Sequence, residues 1–438
     1  MTAESMTGMN TENSFKDRQV VWSLQYRFFL QPTDRIFMQE FDAIRPYSDE
    51  ETGAAIGQLV RDREFLDMVG RFKTPTLARW APAPLRAWVR RWLVRRFGNV
   101  TRINDLQAKL SGYVAELIGS TTSRVTQSGL ENLNKSGAYL FISNHRDIVF
   151  DPMVVNYLLF ANGFNTTRIA IGDNLLSNRV FAEMMRLNKS FVVRRNMTSP
   201  REMRDAYLML SGFINHSIDS NESIWIAQRE GRAKDGLDVT DPAIIKMFYM
   251  SRKKSGLSFA EAMNRLHIVP VSIAYEYDPC DLDKARELET RARTGQYAKT
   301  KDEDTESIMK GLTGFKGHVH VHFGQPIADA EDDPRALSAR IDHEMHANYH
   351  LHSSNLVAYQ QRSIHPQSHL TEGSESSSIV TAETFSPADI DAAEAEIERR
   401  LDACTPEARP YLLDMYANPV VSALEANQRS QPPSDSSN

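Results

Sequence analysis

From about residue 124 the chain alternates short apolar runs with segments of helical period. The runs at 139–143, 168–172, 190–193, 223–227, 268–275 and 318–323 are rich in Val, Ile, Leu and Phe, and each has the length of a buried strand. Between them, residues 200–218 and 259–266 repeat apolar side chains at helical spacing. Strand–helix alternation sustained over some two hundred residues predicts an α/β domain. The expected fold is a mixed sheet flanked by helices, with an N-terminal helical region and a C-terminal helical appendage. Pro270 lies inside the 268–275 run, and a proline there predicts an edge strand or bulge that borders a site.

The flanks read differently. Residues 1–18 are polar and expected to be disordered, and 19–119 form the N-terminal helical region, with helices predicted at 20–30, 50–72, 84–97 and 103–118. The α/β domain is placed at 120–330. A helix follows at 331–362, reaching about Tyr359, then a Ser-, His- and Gly-rich linker at 363–385, a helical hairpin at 386–426 and a disordered tail at 427–438. Ser386-Pro387-Ala388-Asp389 opens the hairpin as N-cap, first helical proline and shortened capping-box acid.

Composition narrows the class. With 41% hydrophobic and 25% charged residues among 438, the chain has the balance of a soluble globular protein. A net charge of -6 argues against general nucleic-acid binding. Cys280 and Cys404 form no disulfide framework, which suits a reducing cytoplasm. The N-terminus lacks a signal-peptide pattern, and no apolar run is long enough for a membrane span. The acidity nonetheless hides a basic stretch: residues 71–100 hold eight Arg or Lys and no Asp or Glu.

Candidate chemistry begins where the 139–143 run ends, at Ser143-Asn144-His145-Arg146-Asp147-Ile148-Val149-Phe150-Asp151-Pro152. A histidine at a strand end with carboxylates a few residues on is a candidate general base with its orienting partner, and both Asp147 and Asp151 qualify. Arg194 and Arg195 end another strand, and two adjacent guanidiniums suit a phosphate. Glu230-Gly231-Arg232-Ala233-Lys234-Asp235-Gly236 is a basic turn whose glycines allow close backbone approach to a ligand.

Together these segments resemble the glycerolipid acyltransferase superfamily, which includes lysophosphatidate and glycerol-3-phosphate acyltransferases. The family's blocks stand here as Asn144-His145…Asp151, Asn188…Phe191…Arg194, Glu230-Gly231-Arg232 and Val269-Pro270-Val271. The likeness covers roughly residues 120–330. Three departures qualify it. The family's acid lies five residues after the histidine, where this chain has Phe150. Asn188 replaces a glycine. The Glu-Gly block lacks its usual Phe-Pro lead and approaches the arginine-rich form of glycerol-3-phosphate enzymes.

The resemblance implies that His145 deprotonates an acceptor hydroxyl, oriented by Asp151 or Asp147. Arg194 and Arg232 would hold the acceptor phosphate, with Arg146, Arg195 and Lys234 nearby, and Glu230 and Gly231 shaping the loop. The implied donor is an acyl thioester, acyl-CoA or acyl carrier protein, and the acceptor a phosphorylated glycerol or lyso-lipid. Acylation of 1-acylglycerol-3-phosphate leads, with glycerol-3-phosphate or another lyso-lipid as alternative acceptors. A module that keeps the fold and binds lipid without catalysis is the alternative of a different class. No cofactor and no metal are expected.

Leu85, Trp88, Val89, Trp92, Leu93 and Phe97 share one helical face, flanked by arginines that include Arg91 and Arg95. This is the pattern of an interfacial helix, and it predicts a peripheral protein at the inner, anionic face of the membrane. A core-docked helix with a solvated basic face fits the same spacing. His343, His346, His350 and His352 are read as clustered in one solvated helix, the first three at spacings of three and four, because no carboxylate or cysteine complement accompanies them; His318, His320 and His322 are read as a structural strand face.

Overall fold

The computed structural model describes residues 40–195, 197–300, 303–364 and 385–430. Residues 40–43 form a turn within a first unit, Met1–Ala43, and the other described residues belong to the compact unit Ile44–Asn438. That unit opens with five helices: α1 (Asp49–Leu59), α2 (Arg63–Lys73), α3 (Pro75–Trp80), α4 (Pro82–Phe97) and α5 (Ile103–Thr121). The helix expected at 50–72 is therefore two, because Asp62 caps a new helix by accepting from Phe65 N. The expected disordered segment at 1–18 and helix at 20–30 fall outside the described residues.

The α/β layer alternates β1 (Arg124–Ser128), β2 (Leu140–Ser143), α6 (Phe150–Ala161), β3 (Arg168–Gly172), α7 (Arg179–Leu187), β4 (Ser190–Val193), α8 (Pro200–Asp219), β5 (Ile224–Ala227), α9 (Pro242–Tyr249), α10 (Phe259–Asn264), β6 (Ile268–Tyr275), α11 (Asp281–Thr294), α12 (Glu303–Thr313) and β7 (His318–Phe323). The strands form one mixed sheet in the order β1-β7-β6-β2-β5-β3-β4. β6, β2, β5, β3 and β4 run parallel, while β7 is antiparallel to β6 and β1 follows β7. Each expected strand is present, and β1 is an addition: its RVTQS sequence gives no apolar run.

The proline-bearing strand departs from expectation. β6 is buried along its whole length and lies between β2 and β7. The Pro270 carbonyl accepts from Gly324 N at 2.8 Å. A residue's N–H and C=O leave an extended strand on the same side, so the missing donor faces β7, just before their ladder starts at Val271↔Phe323. No bond to β2 is lost, and the proline sits near the centre of the sheet.

Three apolar clusters hold the unit together. The sheet face with α5 and α6 packs Phe141, Phe150, Val154, Leu159, Val269 and Val319. The N-terminal helices pack Ile56, Leu66, Leu85, Val89, Leu93 and Phe97 with Val180 and Leu187 of α7. The C-terminal part adds α13 (Pro334–Ala347), α14 (Ser353–Ile364), α15 (Pro387–Asp402) and α16 (Arg409–Ser430), whose core includes Val357, Ile397, Leu412 and Tyr416. The helix expected at 331–362 is broken between Ala347 and Ser353, so His350 and His352 lie in a link and not on the helix with His343 and His346. Ser386 caps α15 with the reciprocal Asp389 contact foreseen from sequence. The final helix runs to Ser430, four residues beyond the hairpin's expected end, while the linker core at 365–384 and the tail at 431–438 lie outside the described residues.

Candidate active site

In an open sheet of parallel strands, ligands gather outside the carboxyl ends of the strands. The ends of β2, β3, β4 and β5 carry Asn144-His145, Asp173-Asn174, Arg194-Arg195 and Glu230-Gly231-Arg232 respectively. The sheet order thus collects blocks that are up to ninety residues apart in the chain.

Asn144 extends the β2–β6 ladder with its side chain: Oδ1 accepts from Ile273 N at 2.8 Å and Nδ2 donates to Ile273 O at 3.0 Å. This anchors the turn that follows. His145 Nδ1 then lies 2.8 Å from Asp151 Oδ2. The same oxygen accepts from the backbone N–H groups of Arg146 (2.7 Å) and Asp147 (2.9 Å), and Asp151 Oδ1 accepts from the Tyr275 hydroxyl at 2.5 Å. Asp151 is fully buried, and four donors converge on its two oxygens, so the carboxylate is fully hydrogen-bonded in place. Asp147 has a different task. Its Oδ1 accepts from Val149 N (3.0 Å) and Phe150 N (2.7 Å), capping the start of α6. Burial and the nearby Asp151 charge push the Asp147 carboxyl up. The spacing of six between histidine and acid works because this turn lifts Asp151 into the first turn of α6, where the helix dipole favours a negative charge.

With Nδ1 committed to Asp151, the Nε2 edge of His145 is the one left to accept a proton. The ring packs edge-on against Trp225, with centroids 5.9 Å apart. The basic turn closes around it: Ala233 N donates to His145 O at 2.8 Å, and Gly231 adopts a φ of +80° that a side chain would strain. Arg232 reaches across to the Ser307 hydroxyl of α12 at 2.6 Å, and Lys234 pairs with Glu287 of α11 at 3.1 Å. Burial lowers the Lys234 ammonium. Arg195 Nε lies 3.3 Å from Glu230 Oε1, so an ion pair bridges the β4 and β5 blocks. Its guanidinium crosses Gly172, where a Cβ would come within 2.6 Å of Arg195 Nε. Arg194 is exposed beside this pair.

Arg146 is placed otherwise than expected. It is 5% exposed, donates to Asp238 Oδ2 at 2.7 Å and lies over the Tyr349 ring, so it braces the interior and does not open onto the cleft. Trp92 is likewise no surface aromatic: it packs against Phe97 and Tyr113, with Lys73 Nζ 4.4 Å above its ring. Leu85, Val89, Leu93 and Phe97 of the same face are core. Trp88 remains 52% exposed, and Arg91 and Arg95 are exposed as well. The projecting apolar group lies mainly upstream, with Phe72, Leu77 and Trp80 standing out from α2 and α3.

Sequence reasoning missed Tyr275, Lys284 and the contact of the C-terminal helix with the basic turn. Tyr275 carries no motif signal; only the sheet brings it to Asp151, and burial next to two carboxylates keeps its hydroxyl protonated as a donor. Lys284 of α11 donates to the Arg146 carbonyl at 2.8 Å and pairs with buried Asp278, holding the turn from behind. α16 abuts the basic turn: Asn418 donates to Asp235 O at 2.6 Å, and the Met415 carbonyl leaves no room for a Cβ at Gly236.

Such a site, a His–Asp pair and a basic turn at the carboxyl ends of a mixed sheet, defines a class of α/β domain suited to proton abstraction beside an anionic ligand. Residues 124–274 match the family described as Acyltransferase. A curated relative, the glycerol-3-phosphate acyltransferase of Ectopseudomonas mendocina (strain ymp), is 28% identical over 217 residues, 46% of this chain. The match spans 23% of that relative's length. Among solved structures, the 1-acyl-sn-glycerophosphate (LPA) acyltransferase PlsC from Thermotoga maritima aligns with a TM-score of 0.32 and 15% identity, over 65% of this chain and 95% of that one. The family match and the curated relative support placing the α/β domain of this chain with the glycerolipid acyltransferases.

Proposed function

We propose that the protein moves a fatty acyl group from an acyl thioester to a hydroxyl of a glycerol-phosphate or lysophospholipid acceptor. The observation that carries this is the His145–Asp151 pair beside the Glu230-Gly231-Arg232 turn, at the carboxyl ends of four adjacent parallel strands. His145 Nε2 takes the acceptor's hydroxyl proton as that oxygen attacks the thioester carbonyl. The charge of Asp151 stabilises the imidazolium so formed. As the carbon–sulfur bond breaks, the imidazolium returns the proton to the departing thiolate. Arg194 and Arg232, with the Arg195–Glu230 pair beside them, hold the acceptor phosphate.

The acceptor is 1-acylglycerol-3-phosphate in the leading reading. Glycerol-3-phosphate is the second, favoured by the likeness to a bacterial glycerol-3-phosphate acyltransferase and by the arginine-rich Glu-Gly turn. The protein works from the membrane surface, docked through Phe72, Leu77, Trp80 and Trp88 with arginines around them. Among the described residues no helix is long and apolar enough to cross a membrane. The test is acyl transfer from labelled acyl-CoA and from acyl carrier protein to both acceptors, with His145→Ala as control. Transfer lost in His145→Ala supports the proposal. Equal rates in the two proteins overturn His145 as base, and inactivity with every donor and acceptor favours the lipid-binding module.

A further inference from the structure

Four histidines, His318, His320, His350 and His352, meet on the opposite side of β6 from β2, where the break between α13 and α14 brings a link against β7. His318, His320 and His322 alternate along β7, and His350 and His352 come from the link. The ring centroids of His318, His350 and His352 lie 4.8 to 5.0 Å from one another. One ring nitrogen from each of the three falls within 4.8 Å of the others. His320 stacks on His350 at 4.6 Å and limits its rotation.

His352 supplies the independent observation. It is 3% exposed, the Ala274 carbonyl faces its ring, and its Nε2 is buried with no hydrogen-bond partner. A buried lone pair without a donor is a defect in a protein interior unless a ligand answers it. His318 meets the Thr126 hydroxyl at 2.6 Å and Arg124 at 3.2 Å, and one of these contacts yields when its nitrogen turns to an ion.

We propose that His318, His350 and His352 bind one divalent transition-metal ion of the zinc type. Three imidazoles in a nearly closed cluster suit Zn(II) and its late first-row neighbours, and a fourth position stays open for water or an anion. The closing movement needed is about an ångström per ligand, since Zn–N bonds are about 2.0–2.1 Å. The ion would clamp the link to β7. That link also carries Tyr349, whose ring lies under the Arg146 guanidinium beside the catalytic histidine, and Asn348, whose carbonyl accepts from Ser272. The inference does not depend on the acyl acceptor or on the activity itself.

The full chain, expressed without a histidine tag and freed of metal by chelator, is titrated with Co(II) and then Zn(II). The expected result is one equivalent bound, visible bands of low-coordinate Co(II) that Zn(II) displaces, and a rise in the unfolding temperature with Zn(II). His350→Gln combined with His352→Gln weakens binding at least tenfold, while His343→Gln, on α13, leaves it unchanged. Wild-type stoichiometry near zero overturns the proposal whether or not the variants fold. So does equal binding by the double variant.

Discussion

Replacing Asp151 by asparagine isolates the charge in the proposed catalytic pair. Three donors converge on Asp151 Oδ2, namely His145 Nδ1, Arg146 N and Asp147 N. An asparagine oxygen is therefore forced into that position, and its amide nitrogen faces Tyr275, whose hydroxyl rotates to accept. Fold and imidazole tautomer persist, and the negative charge alone is lost. Unit charges about 4 Å apart attract by about 4 kcal/mol at an effective dielectric near 20. At about 1.4 kcal/mol per tenfold, losing that stabilisation of the imidazolium lowers kcat/KM by roughly a thousandfold. Asp147→Asn keeps an oxygen for Val149 N and Phe150 N and touches no ring nitrogen, so its loss stays below about tenfold. Initial rates from labelled acyl-CoA to both glycerol-phosphate acceptors measure this, with circular dichroism to verify folding. A folded Asp151→Asn within tenfold of wild type, or a larger loss in Asp147→Asn, would refute the assignment.

The remaining tests address docking, packing and pH. Trp80→Glu with Trp88→Glu should abolish co-sedimentation with anionic vesicles at unchanged unfolding temperature, whereas Trp92→Ala, which removes a packed ring, should lower that temperature; unchanged co-sedimentation of the folded pair sinks the docking surface. A Cβ at Gly311 would stand 1.9 Å from Asp147 Oδ2, so Gly311→Ala should cost about 2 kcal/mol by urea unfolding, while Gly112→Ala, into open space on α5, should stabilise by about 0.5–1 kcal/mol. Lys316 is buried over the Phe150 ring, and burial lowers its ammonium from 10.5 to about 8. Between those pH values the unfolded chain keeps a proton that the folded chain has released, so stability rises with pH across that window. The stability of wild type relative to Lys316→Met should therefore grow by on the order of 2 kcal/mol from pH 7.5 to 10, and a flat difference would contradict the shift.

Much of this protein is legible in one dimension because its signals are local. The central strands are short apolar runs, since a parallel strand is covered on both faces, and six of the seven are recoverable from sequence. The Ser386 cap and the helix spacings are local as well. His145 and the Glu230-Gly231 turn stand out through residue chemistry at strand ends. Tertiary structure decided the rest, where the deciding partner is remote in sequence. Asp151 and not Asp147 meets His145 because Tyr275, 124 residues on, completes its shell of donors. Arg146 turns inward to Asp238, 92 residues away, although its neighbours suggested a substrate contact. Trp88 and Trp92 share an amphipathic face, and only the packing of Tyr113 and Lys73 separates the half-buried ring from the exposed one. A pattern of residues sets which faces are apolar and which groups can react, but the sheet order and the crossing of helices choose what each face and each group meets.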